Sequence, residues 1–153
     1  MINTNNINEA IKQIQKLKKE GKKIFVQARG DEFNRKIFEN KDIIVLGLEF
    51  NKSDFLKQRN SGLNEVLCKL ARDNNIKIGI DIDKISKLDK IEKARVLSRI
   101  RQNIQLCKRI GCKMIVFSEN NKNNISKQEI MSFFLSFGGS TKQGKDAEVF
   151  NKV

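Results

Sequence analysis

Residues 94–118, ARVLSRIRQNIQLCKRIGCKMIVFS, run a basic amphipathic helix straight into a buried strand. That junction restricts the chain to folds in which helices stack on a sheet. On a 3.6-residue wheel Val96, Leu97, Ile100, Ile104 and Cys107 fall on one side. The wheel reading places Arg95 and Arg99 on the opposite side, one turn apart, with Arg101 and Lys108 sharing a flank. Such a helix docks by its apolar stripe and presents fixed cations outward. Phosphate is the ligand they suit, because guanidinium groups match its geometry with paired donors.

The apolar period changes repeatedly along the chain. Ile7, Ile11, Ile14 and Leu17, spaced by threes and fours, predict a helix over residues 7–19. Short strands are predicted over 23–28 and 42–49, the latter a near-continuous apolar run suited to a strand covered on both faces. Between them residues 31–38 read as a short helix with Asp31 near its N-cap. Asn60 or Ser61 opens a helix over 63–73, and Ile76, Ile78, Ile80 and Ile82 alternate with Lys77, Gly79 and Asp81 in a strand over 76–83. The basic helix is predicted over 88–110, ended by Gly111, and a fourth strand over 113–118. A polar loop runs to Asn124, followed by helices over 127–137 and from Ser140 or Thr141 to about Phe150. Strands alternating with helices in this way form parallel βα units, so the chain is read as one α/β domain over residues 1–153. Periodicity leaves open whether the sheet is flat or part of a barrel.

Thirty-one basic residues against 18 acidic ones give a formal charge of +13, which suits a polyanion such as nucleic acid. Abundant Lys, Ile and Asn also accompany AT-rich coding, so distribution carries more weight than the total. From Lys84 to Lys113 there are ten Lys or Arg and two acids, Asp89 and Glu92; a second cluster, Lys12 to Lys23, sets six Lys against Glu20. Both are concentrated enough to favour RNA or DNA.

The chain has no His. That removes Ser-His and Cys-His dyads, the usual general acid and base, and the commonest zinc ligand. Cys68, Cys107 and Cys112 show no CxxC spacing and read as small buried hydrophobes in a reducing compartment rather than as disulfides or metal ligands. Residues 1–10 are polar with no signal-peptide core, and the longest apolar run, 43–48, is too short for a bilayer span. A cytoplasmic protein is expected, with no membrane partner.

Three features invite a catalytic or base-stacking reading. The predicted carboxyl ends of the strands carry Arg29, Glu49, Asp81 or Asp83, and Ser118 with Glu119. In parallel α/β folds function gathers there, and three acids suit Mg²⁺. They equally cap loops and helices, and no base or nucleophile accompanies them. Residues 139–145, GSTKQGK, match the first seven positions of a P-loop. Asp146 then replaces the magnesium-ligating Ser or Thr, and a helix rather than a strand precedes the segment. It reads as a helix–turn–helix capped by Ser140, with Lys142 placed to meet a backbone phosphate. The ten Phe residues, Phe25, Phe117, Phe133, Phe134 and Phe137 among them, lie mostly at core-type positions. Recognition by phosphate and shape is therefore expected over base stacking.

Residues 59–67, RNSGLNEVL, together with Ala94-Arg95-Val96-Leu97, Arg101-Gln102-Asn103 and residues 114–118, resemble the archaeal ribonuclease P protein component 3 family. These are homologues of the eukaryotic thirty-kilodalton ribonuclease P subunit. The matching positions are Arg59, Ser61, Gly62 and Leu63, then Leu70-Ala71, then Arg95, Arg101 and Asn103, then Ser118, and finally Leu135 with Gly138. They cover about Ile24 to Ala147. Asn64 stands where the family usually has Asp, and Glu65 where His is frequent. A strand, helix and strand expected ahead of the first helix have no counterpart here.

The resemblance implies an incomplete TIM-barrel-like fold related to the polymerase-and-histidinol-phosphatase phosphoesterases. It implies a non-catalytic subunit that binds the ribonuclease P RNA, pairs with component 2 and meets precursor tRNA indirectly. The RNA would remove the 5′ leader with its own Mg²⁺, and the protein would bind no cofactor. The expected RNA-facing residues are Arg95, Arg99, Arg101, Lys108, Arg109 and Lys113, with Arg29, Arg59 and Lys142 at loops. Two alternatives from other classes stand beside it: a metal-dependent phosphoesterase using Asp81, Glu49 and Glu119, and a general binder of structured RNA.

Overall fold

The computed structural model describes residues 1–50, 53–119 and 125–151. Its elements are α1 (Ile7–Lys19), β1 (Phe25–Gln27), α2 (Asp31–Ile37), β2 (Ile44–Leu46), α3 (Glu65–Asp73), β3 (Lys77–Asp81), α4 (Ile82–Ser86), α5 (Lys90–Ile110), β4 (Lys113–Ser118), α6 (Lys127–Ser136), α7 (Thr141–Asp146) and β5 (Glu148–Asn151). Local chemistry sets many of the boundaries. Asn6, Asn64, Asp81, Asp89, Ser126 and Ser140 each cap a helix by accepting a backbone N–H of its first turn. Gly111, at φ 90, ends α5 in the left-handed conformation.

All strands pair in parallel, in the order β1-β2-β3-β4-β5. A sheet wound in one direction keeps its helices on one face and turns the other inward, as a barrel does. The inward face carries Ile44, Leu46, Ile115, Phe117 and Phe150, with Phe25 packed against them. The Phe25 ring of β1 lies 5.8 Å from the Phe150 ring of β5. The two edge strands therefore lean toward each other across the interior while the sheet stays open between them. That is the incomplete barrel of the α/β expectation. The outward face packs Val26, Val45, Ile78, Ile80, Met114 and Val116 with Ile14, Cys68, Ala71, Val96, Ile100 and Ile104 of the helices.

Several expectations are corrected. The last segment is not one helix to Phe150: α7 stops at Asp146 and β5 follows, because Val149 packs outward and Phe150 inward. The described residues thus form five strands where four were legible. The third strand ends at Asp81, whose side chain caps the short α4, and α5 begins at Lys90. Asn64, rather than Asn60 or Ser61, precedes α3, while Asp31 opens α2 next to its N-cap Gly30, as expected. Cys68 and Cys112 are paired as a disulfide, brought together with Cα atoms 6.1 Å apart by α3 and the α5–β4 turn. All three cysteines are buried, as expected. Residues 120–124 of the polar loop lie outside the described residues. Among the described residues no helix is long and apolar enough to cross a membrane.

Candidate nucleic-acid interface

Parallel pairing aligns the first residues of neighbouring strands, and here those residues are lysines. Lys77 opens β3 and Lys113 opens β4, and the two are register partners. The end of α5 adds Lys108, and the first turn of α7 adds Lys142. Together these four line a cavity of about 370 Å³, with Ser140, Gln143, Asp146 and Glu148 among its other walls. Lys77 pairs with Glu148 at 2.8 Å, and that bond holds the Glu148 carboxyl below its ordinary value. Lys113 donates to Asn75 Oδ1 at 2.9 Å, and Lys108 reaches the Gly138 carbonyl at 3.5 Å. Lys108, Lys113 and Lys142 are exposed. Clustered amines with access to solvent can neutralise several phosphates at once.

Of the cations singled out in the sequence, the structure gathers Lys108, Lys113 and Lys142 at this amino-terminal edge of the sheet. Lys77 was missed; its signal was the first position of an alternating strand parallel to another that begins with Lys. Arg95 and Arg101 are exposed on α5, Arg95 beside Glu92 at 3.0 Å. Arg109 lies 3.9 Å from Glu65. Arg29 sits beyond β1, where its guanidinium meets Asn3 and its backbone N–H meets Asn34 Oδ1 at 2.7 Å. Arg59 borders a separate groove and bonds Asp54 at 2.6 Å.

Arg99 corrects the wheel. It lies on the buried stripe Val96, Arg99, Ile100, Asn103, Ile104, Cys107 rather than opposite it, and is 4% exposed. Its Nε donates to Asp54 Oδ1 at 3.0 Å, and Nη1 donates to the Glu49 carbonyl at 3.1 Å. One turn on, Asn103 Nδ2 donates to the Ser61 carbonyl at 3.2 Å. The loop 54–63 is therefore held down on α5 by two buried polar side chains. Gly62, at φ 76, is obligatory there, because a Cβ would collide with the Leu48 carbonyl. The Arg59, Ser61, Gly62, Leu63 and Asn103 positions of the resemblance thus meet at one structural junction.

At the opposite, carboxyl edge the acids serve structure. Asp81 caps α4 through the Lys84 N–H at 3.0 Å. Asp83 Oδ2 accepts from Ser118 Oγ at 3.0 Å and from the Glu119 N–H at 2.6 Å. Glu49 is buried with Oε1 unpartnered, and burial pushes its carboxyl up to about 7. Among the described residues these carboxylates do not converge on one point; only the three cysteine sulfurs form a close group.

Fold and site define a barrel-type α/β protein whose gathered exposed side chains are cations rather than acid–base pairs. The chain is similar to ribonuclease P protein component 3 of Methanococcus vannielii, with 30% identity over 119 residues. The match covers 77% of this chain and 49% of the relative, so the chain spans about half the relative's length. A chain of the cryo-EM structure of archaeal ribonuclease P with mature tRNA has the same fold, at a TM-score of 0.76 and 22% identity. That likeness covers 93% of this chain and 60% of the other. No family model matches the chain.

Proposed function

We propose that the chain is a non-catalytic protein subunit of ribonuclease P, the RNA-based endonuclease that removes the 5′ leader from precursor tRNA. The observation that carries this reading is the 30% identity with component 3 over 119 residues. Two features of the molecule support it. The chain has no His, and its best-gathered exposed side chains are the lysines at the amino-terminal edge of the sheet.

In this reading Lys108, Lys113 and Lys142 face phosphates of the ribonuclease P RNA. Arg95, Arg101 and Arg109 extend the charge along α5, and Arg29 and Arg59 contribute from loops. Arg99 is assigned to the interior instead. Each phosphate contact releases counterions and lowers the magnesium the RNA needs to fold and hold precursor tRNA. The Mg²⁺ of the reaction belongs to the RNA, and the protein needs no cofactor of its own for it. Component 2 is the proposed protein partner and the cytoplasm the proposed compartment.

Cleavage of precursor tRNA by the cognate RNA plus component 2, at limiting Mg²⁺, with and without this chain, tests the reading. A rate increase that disappears when the RNA is omitted is expected. Cleavage by the protein alone, or no effect from a folded chain, overturns it.

A further inference from the structure

Three cysteines far apart in sequence bring their sulfurs to one point. Cys68 comes from α3, Cys107 from the last turn of α5, and Cys112 from the residue between Gly111 and β4. Gly111 makes the tight turn, with its own N–H and that of Cys112 both donating to the Cys107 carbonyl, at 2.8 and 3.1 Å. The turn folds Cys112 back over Cys107. All three sulfurs lie within 4.8 Å of one another, and the residues are 0%, 1% and 5% exposed. Packing alone asks only that a cysteine be buried; it does not ask that three sulfurs meet.

We infer that in the reduced protein Cys68, Cys107 and Cys112 form a thiolate site for a single thiophilic d¹⁰ cation, for which Zn²⁺ is the probe. The Cys68 and Cys107 sulfurs are 3.8 Å apart. Two thiolates on a tetrahedral ion with metal–sulfur bonds of about 2.3 Å stand about 3.8 Å apart, so this pair already has the required spacing. Reduction of the Cys68–Cys112 bond frees both sulfurs for the ion, beside that of Cys107. The group contains sulfur alone, with no carboxylate, which selects soft ions over Mg²⁺ or Ca²⁺.

Cys107 and Cys112 line the lysine cavity, which gives an ion a route from solvent to the sulfurs. Lys77, Lys108, Lys113 and Lys142 on its walls offset the net negative charge of three thiolates on a dication. Loading takes two balanced steps. A dithiol reductant supplies two electrons and two protons, the Cys68–Cys112 bond breaks and two thiols form, while the reductant becomes a disulfide. Zn²⁺ then binds three sulfurs and releases three protons.

The test uses the whole chain, reduced and kept anaerobic, titrated with Co²⁺ and then Zn²⁺. One Co²⁺ per chain is expected, with thiolate-to-metal charge-transfer absorption of three sulfur ligands, displaced by Zn²⁺. Zinc should protect all three cysteines from alkylation, and the oxidised chain should bind none. Cys107→Ser should weaken zinc by at least about tenfold, since loss even of an outer partner costs about 10–100-fold. A reduced wild-type chain that gives no charge-transfer band, or identical zinc uptake by wild type and Cys107→Ser, overturns the proposal. The wild-type spectrum decides the matter even if the variant fails to fold.

Discussion

Arg99 of α5 and Asp54, 45 residues apart in sequence, are joined by an Nε–H···Oδ1 bond of 3.0 Å, with the Arg99 side chain 5% exposed. The same guanidinium bonds the Glu49 carbonyl, and Asp54 also accepts from Arg59 and from the Asn60 N–H. A long loop without regular structure is thereby fixed to the longest helix. Removing Arg99 takes two bonds from this loop, one of them to the Glu49 carbonyl, and a buried group that loses its partner costs about 1–3 kcal/mol. Arg99→Ala is expected to lower the urea midpoint by a corresponding amount, whereas exposed Arg95→Ala stays within about 0.5 kcal/mol of wild type. Equal, small effects of the two would mean that Arg99 is not an internal tie.

Gly62 offers a sharper test of the same junction. Its backbone is left-handed and a Cβ would strike the Leu48 carbonyl, while Gly21, also left-handed at φ 64, has open space around it. Gly21→Ala should cost about 1 kcal/mol from backbone conformation alone, and Gly62→Ala about 3 kcal/mol or more. Thermal melts of the two variants compare them directly.

Glu49 sets a pH dependence with a definite sign. Its folded pKa is raised from 4.5 to about 7, chiefly by burial and further by Asp81, against the opposing effect of Lys84. Between those values the folded state holds the proton that the unfolded state has released, so stability falls as pH rises from about 4.5 to 7 and then levels. The full contribution is on the order of 3 kcal/mol. Glu49→Gln should remove this slope and be the more stable protein at pH 8, as measured by denaturant unfolding across the range. Asp54 acts oppositely: the Asn60 N–H, Arg99 and Arg59 hold its carboxyl well below its ordinary value. Its contribution is present above the ordinary carboxylate pKa and is lost as pH falls below it.

The lysine cavity makes a prediction about salt rather than stability. Replacing Lys108, Lys113 and Lys142 together by Ala should leave the fold intact, since all three are exposed. The slope of log affinity for the ribonuclease P RNA against log salt should shrink by about two to three, close to 0.7–0.9 per lost phosphate contact. An unchanged slope removes this edge of the sheet from the RNA interface.

What the sequence determined by itself was the set of elements whose cause is local. The helical spacing of Ile7, Ile11 and Ile14, the alternation at 76–80, the Ser140 cap and the Gly111 stop all act within a few residues, so they are legible without a structure. The absence of His, and with it of common acid–base chemistry, was equally plain. Tertiary structure decided the rest, because it depends on contacts between distant segments. β5 is too short to outweigh a helical reading until Phe150 meets Phe25 across the barrel interior. Arg99 reads as a solvated cation until the loop around Asp54 folds over it and supplies the charge that permits its burial. Lys77 and Lys113 become neighbours only through parallel register, and the three sulfurs meet only where α3 packs against the end of α5.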